Sequence, residues 1–263
     1  MKNHYTEPHG LRALDALYGL LLSLVFGTGL TLWFVIDRGD LGSAIGDIFT
    51  DASFSSLADL LRDADLVGAG LGPAVWGVAG AISFQMMWIV YVGLRRNADP
   101  VQHYGIALRL PDLFLGVGLG LVAIASGGAM YRWVLPEFGM ERAGAVEQFP
   151  ASFADVSSRN VLALIVLVGL MVPVIEELFF RGFVLRSLQR DGGIVVAVVG
   201  SAVVYGLVHF AGFASGSYAY MALAAWLGLL FGAITAWTGR IAAATLAHVL
   251  NNTVVILVLT DTI

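Results

Sequence analysis

Residues 161–185 read VLALIVLVGLMVPVIEELFFRGFVL. A helix needs about 20 consecutive apolar residues to cross a bilayer, and this stretch is long enough. It nevertheless carries Glu176, Glu177 and Arg181. Each charged residue at membrane depth costs roughly 2.5–3.5 kcal/mol on insertion scales. Three of them together need partners or a purpose. Two later apolar runs each bring a histidine, His209 and His248, and Asn252 follows the second by one helical turn. Glutamate, two histidines and an asparagine in apolar surroundings are the parts of a water-activating site.

The whole chain fits that setting. Of its 263 residues, 58% are hydrophobic and 13% are charged, and the mean hydropathy is +0.83. Soluble domains average about 25% charged residues, so the chain reads as an integral membrane protein. Strand-like alternation is absent, which argues against a transmembrane barrel. The expected fold is therefore an all-α, polytopic helix bundle of one membrane domain, 1–263. With no cysteine, disulfides, thiolate metal sites and a cysteine nucleophile are excluded. A net charge of −5, with no basic patch, excludes a nucleic-acid partner. The lipid bilayer is the expected surrounding.

Hydropathy predicts about seven spans, at 11–36, 69–94, 111–135, 160–188, 193–211, 217–238 and 241–260. The first is too long, and lacks the small-residue cleavage site, for a removable signal peptide. Between the first two spans, residues 41–66 interleave Ile45, Ile48, Phe49 and Leu57 with Asp47, Asp51, Asp59 and Asp63. That pattern suits an acidic amphipathic helix lying on the membrane surface. Residues 136–159 are a candidate second surface segment. Basic residues set orientation. With the N-terminus in the cytoplasm, Lys2, Arg12, Arg95, Arg96, Arg109, Arg186, Arg190 and Arg240 lie inside; Arg38, Arg62, Arg132, Arg142 and Arg159 lie outside, in longer loops dominated by acids.

Helical spacing sorts the charged groups. Neighbours on a helix point about 100° apart, so Glu176 and Glu177 are expected to do different jobs. Glu177 and Arg181 are i,i+4 and can pair, while Glu176 faces elsewhere with Phe180. Pro173, one turn before Glu176, is expected to kink or open the helix. A turn near Asp191–Gly192 puts Glu176 and His209 nearly level in an antiparallel hairpin. His248 and Asn252 share a face. Gly228 and Gly232 form a GxxxG step, read as plain helix packing. Each polar residue also has a simpler role: a buried ion network for Glu177 and Arg181, a core histidine satisfied by a carbonyl for His209, interhelical hydrogen bonds for His248 and Asn252. The four together make the simpler roles the weaker reading.

Peptide hydrolysis fits these groups. Glu176 would take a proton from water with His209 assisting; His248 and Asn252 would orient the water or stabilise the oxyanion. Alternatively Glu176, His209 and His248 are a set able to hold a divalent metal such as zinc, which acidifies its bound water. A metal-free glutamate mechanism suits the same residues equally. No HExxH pair is present, and Ser201, Ser215 and Ser217 lack a triad or dyad setting.

The ordered motifs resemble a known group. Glu176-Glu177-Leu178-Phe179-Phe180-Arg181 matches the EExxxR motif of the CPBP family, the CAAX proteases and bacteriocin-processing enzymes also called the Abi family. Tyr205-Gly206-Leu207-Val208-His209 resembles its FxxxH motif with tyrosine in place of phenylalanine, and His248-Val249-Leu250-Asn251-Asn252 its HxxxN motif. The resemblance covers about 160–256, the expected catalytic core. It implies intramembrane proteolysis similar to that of type II CAAX prenyl endopeptidases. Glu176 and His209 would activate water, His248 and Asn252 would complete the site, and Glu177, Arg181 and Tyr205 would support it. Members are described both as metalloproteases and as metal-free glutamate proteases. The implied partner is a membrane-associated protein or peptide, lipidated in the eukaryotic relatives, and the expected location is a prokaryotic cytoplasmic membrane. Two other classes compete: a non-catalytic bacteriocin self-immunity or scaffold protein, which has no need of an intact four-residue site, and a proton-coupled transporter, for which no inverted repeat is visible.

Overall fold

A computed structural model describes residues 11–37, 73–138, 161–212 except 163, and 218–263 except 261. The acidic segment 41–66, most of 136–159, and Ser215 and Ser217 lie outside the described residues.

The described chain is helical throughout. Its elements are α1 (Ala13–Asp37), α2 (Pro73–Arg96), a short α3 (Pro100–Tyr104), α4 (Leu110–Ala129), α5 (residues 165–192), α6 (residues 194–212), α7 (Tyr218–Thr238) and α8 (Ala242–Leu259).

 It also holds a wide i→i+5 turn, Met130–Val134, and a 3-10 turn, Leu135–Phe138, that extend α4 at its far end. The predicted spans reappear as six long apolar runs, because the fourth and fifth merge in a single 45-residue run, Ile165–His209. A straight helix of that length would be about 68 Å long, against a hydrocarbon core of about 30 Å. The run is folded in two at Gly193, whose φ of 78° and ψ of −179° leave the helical region. Only glycine adopts that backbone conformation without strain. Beyond it the chain turns back: Leu188 packs by Gly200, and the Phe180 and Tyr205 rings meet at 4.9 Å. Among the described residues seven helices thus form the membrane-crossing bundle, and the hairpin expected near Asp191–Gly192 is present.

α3 was not anticipated, although its signals are ordinary. Asp99 caps it by accepting from the Gln102 N–H at 2.7 Å, Pro100 opens it, and Gly105 closes it with a φ of 70°. These residue types favour those positions because each satisfies or removes an orphan backbone group.

Small residues let the helices that carry the site approach closely. A Cβ on Gly228 of α7 would stand 2.9 Å from the Ala202 Cα of α6. Gly116 and Gly120 of α4 lie against Leu246 and Leu250 of α8 in the same way. The outward faces are apolar, with Leu14, Leu17 and Val25 of α1, Phe114 and Leu121 of α4 and Val195 of α6 exposed to the surroundings. Lipid, which is as apolar as they are, is their natural neighbour. The buried aromatic cluster of Phe179, Phe180, Phe183 and Tyr205 lies between α5 and α6.

One end of the bundle is tied by polar bonds. Asp112, fully buried, accepts from Arg240 Nε at 2.8 Å and Nη2 at 2.7 Å, and from the Arg109 N–H at 2.8 Å. Arg186 of α5 donates to the Gly239 carbonyl at 2.6 Å and to the Gln102 carbonyl at 3.1 Å. The Ile241 N–H donates to the Gly105 carbonyl at 3.1 Å. These bonds fix the starts of α4 and α8 against α3 and α5, and so set the depth at which His248 sits.

Candidate active site

α5 owes its irregular winding to Pro173. A proline has no N–H to give the preceding turn and its ring crowds that turn. The helix is wound wide before it, over Ile165–Met171, and again over Leu178–Val184, with a normal segment, Val172–Glu177, between. The expected disturbance at Pro173 is thus a pair of wide turns flanking the two glutamates. Wide turns of this kind recur at functional sites.

Glu177 and Arg181 pair as their spacing requires, with Arg181 Nη1 donating to Glu177 Oε1 at 2.8 Å. Both are buried to 1% exposure or less. The guanidinium also lies 4.5 Å from the Tyr205 ring centroid and 5.5 Å from that of Phe231. Such cation–π contacts offset part of the desolvation of a buried cation. Glu177 Oε1 takes a second bond from His248 Nδ1, at 2.9 Å. A carboxylate only accepts, so Nδ1 carries the hydrogen and Nε2 of the neutral ring presents a lone pair.

Nε2 faces the other glutamate. Glu176 Oε2 lies 3.9 Å from it, and the Tyr205 hydroxyl stands beside both. That hydroxyl donates to Glu176 Oε2 at 2.8 Å and is 3.4 Å from His248 Nε2. The two glutamates therefore serve one histidine from its two ring nitrogens. This corrects the expectation that Glu176 faces away from the Glu177 network: an imidazole carries nitrogens on two sides, so carboxylates about 100° apart on α5 can both address it.

His209 is one turn after Tyr205 on α6. Its Nδ1 donates to the Tyr205 carbonyl at 2.8 Å, and its ring packs on the Tyr205 ring at 4.2 Å. Glu176 and His209 are the most exposed members of the cluster, at 8% and 9%, whereas Glu177, Arg181, Tyr205 and His248 are at 2% or less. Asn252 lies a turn beyond His248. Its Nδ2 donates to the Val168 carbonyl at 3.1 Å, and its Oδ1 accepts from Asn251 at 3.3 Å. It ties α8 to the wide turn of α5 and makes no bond to Glu176 or His248.

The geometry brings together Glu176, Glu177, Arg181, Tyr205 and His248 directly, and His209 through Tyr205. Two further side chains border them: Phe231 of α7, 5.2 Å from the His248 ring, and Tyr220 of α7, 5.7 Å from the His209 ring. Phe231 follows Gly228 by three residues, so the helical period puts it on the face that the GxxxG step turns inward. That signal was available in the sequence.

The donor set does not fit a resident metal as it stands. Among the described residues, no three His, Asp or Glu side chains group closely enough to hold one ion. Both His248 nitrogens face groups of the hydrogen-bonded cluster, and the Tyr205 hydroxyl stands beside both Glu176 Oε2 and His248 Nε2.

Residues 158–254 match the family model described as type II CAAX prenyl endopeptidase Rce1-like. The match takes in α5 to α8 almost whole and every residue of the cluster. Over those residues the chain is thus similar to the Rce1-like group of the CPBP family. No curated protein matches the chain, and no solved structure does.

Proposed function

We propose that this protein is an intramembrane endopeptidase that hydrolyses a peptide bond of a membrane-associated protein or peptide, with water activated by Glu176 and His209. The observation that carries this reading is the unequal burial of the cluster. Glu177 and Arg181 are sealed, and Glu176 and His209 keep what access there is. A water between those two would give a proton to the Glu176 carboxylate while its oxygen attacks the carbonyl carbon. His209, with Nδ1 donating to the Tyr205 carbonyl, packs its ring against the Tyr205 ring, whose hydroxyl bonds Glu176. His248, oriented by Glu177 through Nδ1, turns Nε2 toward Glu176, and once protonated there it would donate where charge develops on the carbonyl oxygen. Asn252 holds α8 to α5 and thereby sets the position of His248.

The chain is read as one membrane domain over 1–263, with 160–256 as its catalytic core and the N-terminus in the cytoplasm. Because the native chain has no cysteine, a single Asn97→Cys, between α2 and α3, reports orientation cleanly. An impermeant maleimide should label it only from the cytoplasmic side; labelling from outside would reverse the topology.

The activity is tested by comparing new peptide termini, by mass spectrometry, in membranes of cells expressing wild type or Glu176→Gln. Termini that vanish with the variant identify both the activity and the substrate, including whether the substrate is lipidated. Termini that persist at equal expression would overturn the endopeptidase reading in favour of a binding or immunity role.

A further inference from the structure

The hydroxyl of Tyr205 is the feature that the family pattern does not require. The FxxxH motif that this stretch resembles has phenylalanine at this position, and a ring alone would complete the packing. Here the ring is held edge-on to Phe180 at 4.9 Å, against His209 at 4.2 Å and under Arg181. It is 2% exposed. Its oxygen is therefore fixed in one place, 2.8 Å from Glu176 Oε2 and 3.4 Å from His248 Nε2. Glu176 and His248 are themselves 3.9 Å apart, too far for a direct hydrogen bond. A hydroxyl has one hydrogen to give and lone pairs to accept with. Placed between a carboxylate and an imidazole lone pair, it can receive from one and donate to the other.

We propose that Tyr205 is a proton relay from Glu176 to His248, which makes His248 the acid that protonates the leaving amine. The proposal rests on the endopeptidase reading and assigns a further residue to it. In the first step the water O–H bond breaks, the oxygen bonds to the carbonyl carbon, and the proton goes to Glu176. Glu176 then passes a proton to the Tyr205 oxygen as Tyr205 passes its own to His248 Nε2. The resulting imidazolium lies against the Glu177 carboxylate through its Nδ1–H. As the C–N bond breaks, Nε2 gives its proton to the departing nitrogen. The water proton ends on the amine, and Glu176, Tyr205 and His248 return to their starting states. The same arrangement gives Glu177 a reason to be sealed with Arg181: its carboxylate faces the charge that forms on His248.

Tyr205→Phe removes the hydroxyl and keeps the ring, so the packing with Phe180, His209 and Arg181 survives. The experiment uses full-length protein in proteoliposomes and, as probe, a synthetic peptide spanning a Glu176-dependent cleavage site. The relay predicts that kcat falls about 100-fold or more, that KM stays within about twofold, and that the thermal midpoint falls only by the few degrees that a lost buried hydrogen bond costs. It also predicts that the solvent-isotope proton inventory, curved in the wild type, becomes linear. Wild-type kcat in Tyr205→Phe, with Glu176→Gln inactive, would overturn the relay and leave the endopeptidase reading intact. A lower kcat that keeps the curved inventory would also overturn it, because the hydroxyl would then act only by holding Glu176 in place. Activity retained in Glu176→Gln would overturn both.

Discussion

Among the described residues, two arginines pair with a fully buried carboxylate, and the two pairs are built differently. At the end of the bundle, Asp112 takes both prongs of the Arg240 fork and a backbone N–H from Arg109. Its oxygens are occupied by groups that do not give up their hydrogens. In the middle of α5, Glu177 takes one prong of Arg181 and an imidazole N–H, and its Oε2 has no partner. The first pair is saturated and holds helices. The second is unsaturated and linked through His248 and Tyr205 to Glu176, each able to move a proton. An ion pair in a membrane is therefore not itself a sign of chemistry; what matters is whether its neighbours can change protonation state.

That comparison can be broken at several points. The largest stability effect is expected for Arg181→Met, which leaves Glu177 buried without its cation. Removing one partner of a buried pair costs about 3–5 kcal/mol, so the variant should fail to accumulate or should unfold far below the wild type in detergent. A normal thermal midpoint would mean that Glu177 is held by His248 alone. Arg240→Met should cost less, about 1.5–3 kcal/mol for a lost hydrogen bond to a charged group, because Arg240 is partly exposed. Its remaining folded fraction should cleave at the wild-type rate per molecule. A rate loss exceeding the stability loss would move Asp112 and Arg240 from the holding class to the chemical one.

Gly228→Ala tests the packing that brings α7, with Phe231, onto the cluster. The added Cβ would meet Ala202 at 2.9 Å, and overpacking of this kind costs about 1–3 kcal/mol. An unchanged thermal midpoint would show that α6 and α7 can part without cost. The smallest effect is expected at Tyr104 in α3, whose hydroxyl donates to the Ile89 carbonyl at 3.1 Å. Tyr104→Phe should cost about 1 kcal/mol. Burial first, and then Asp15, pushes the Tyr104 phenol up to about 12. The raised value favours the neutral phenol in the folded state, so this contribution is present below about pH 10 and is lost as pH rises toward 12. Tyr104→Phe should flatten that alkaline loss, measured as thermal midpoint against pH.

Much of the fold was legible because hydropathy and helical period are local properties. The spans, the Glu177–Arg181 pair and the Asp191–Gly192 turn all follow from residues close in sequence. So does the level placement that lets Tyr205, one turn before His209, reach Glu176. Less legible was anything depending on two distant helices meeting at a particular atom. Asp112 and Arg240 are 128 positions apart, and each appeared only as a charge to be counted. The tyrosine at 205 was read for its ring, because spacing gives a residue's face and not the place of its terminal oxygen. Asn252 shares a face with His248, as its spacing demands, yet its amide is taken by the Val168 carbonyl. That carbonyl lies in a wide turn, whose register a regular 3.6-residue period does not describe.

The central claim is that Glu176 does the chemistry while Glu177 holds the scaffold. The direct test is to purify wild type and Glu176→Gln, compare thermal midpoints, and follow new termini in membranes and cleavage of a peptide spanning any terminus that depends on Glu176. The account predicts equal midpoints, with cleavage reduced by at least about 100-fold in the variant. Cleavage at the wild-type rate by a folded Glu176→Gln protein would contradict it.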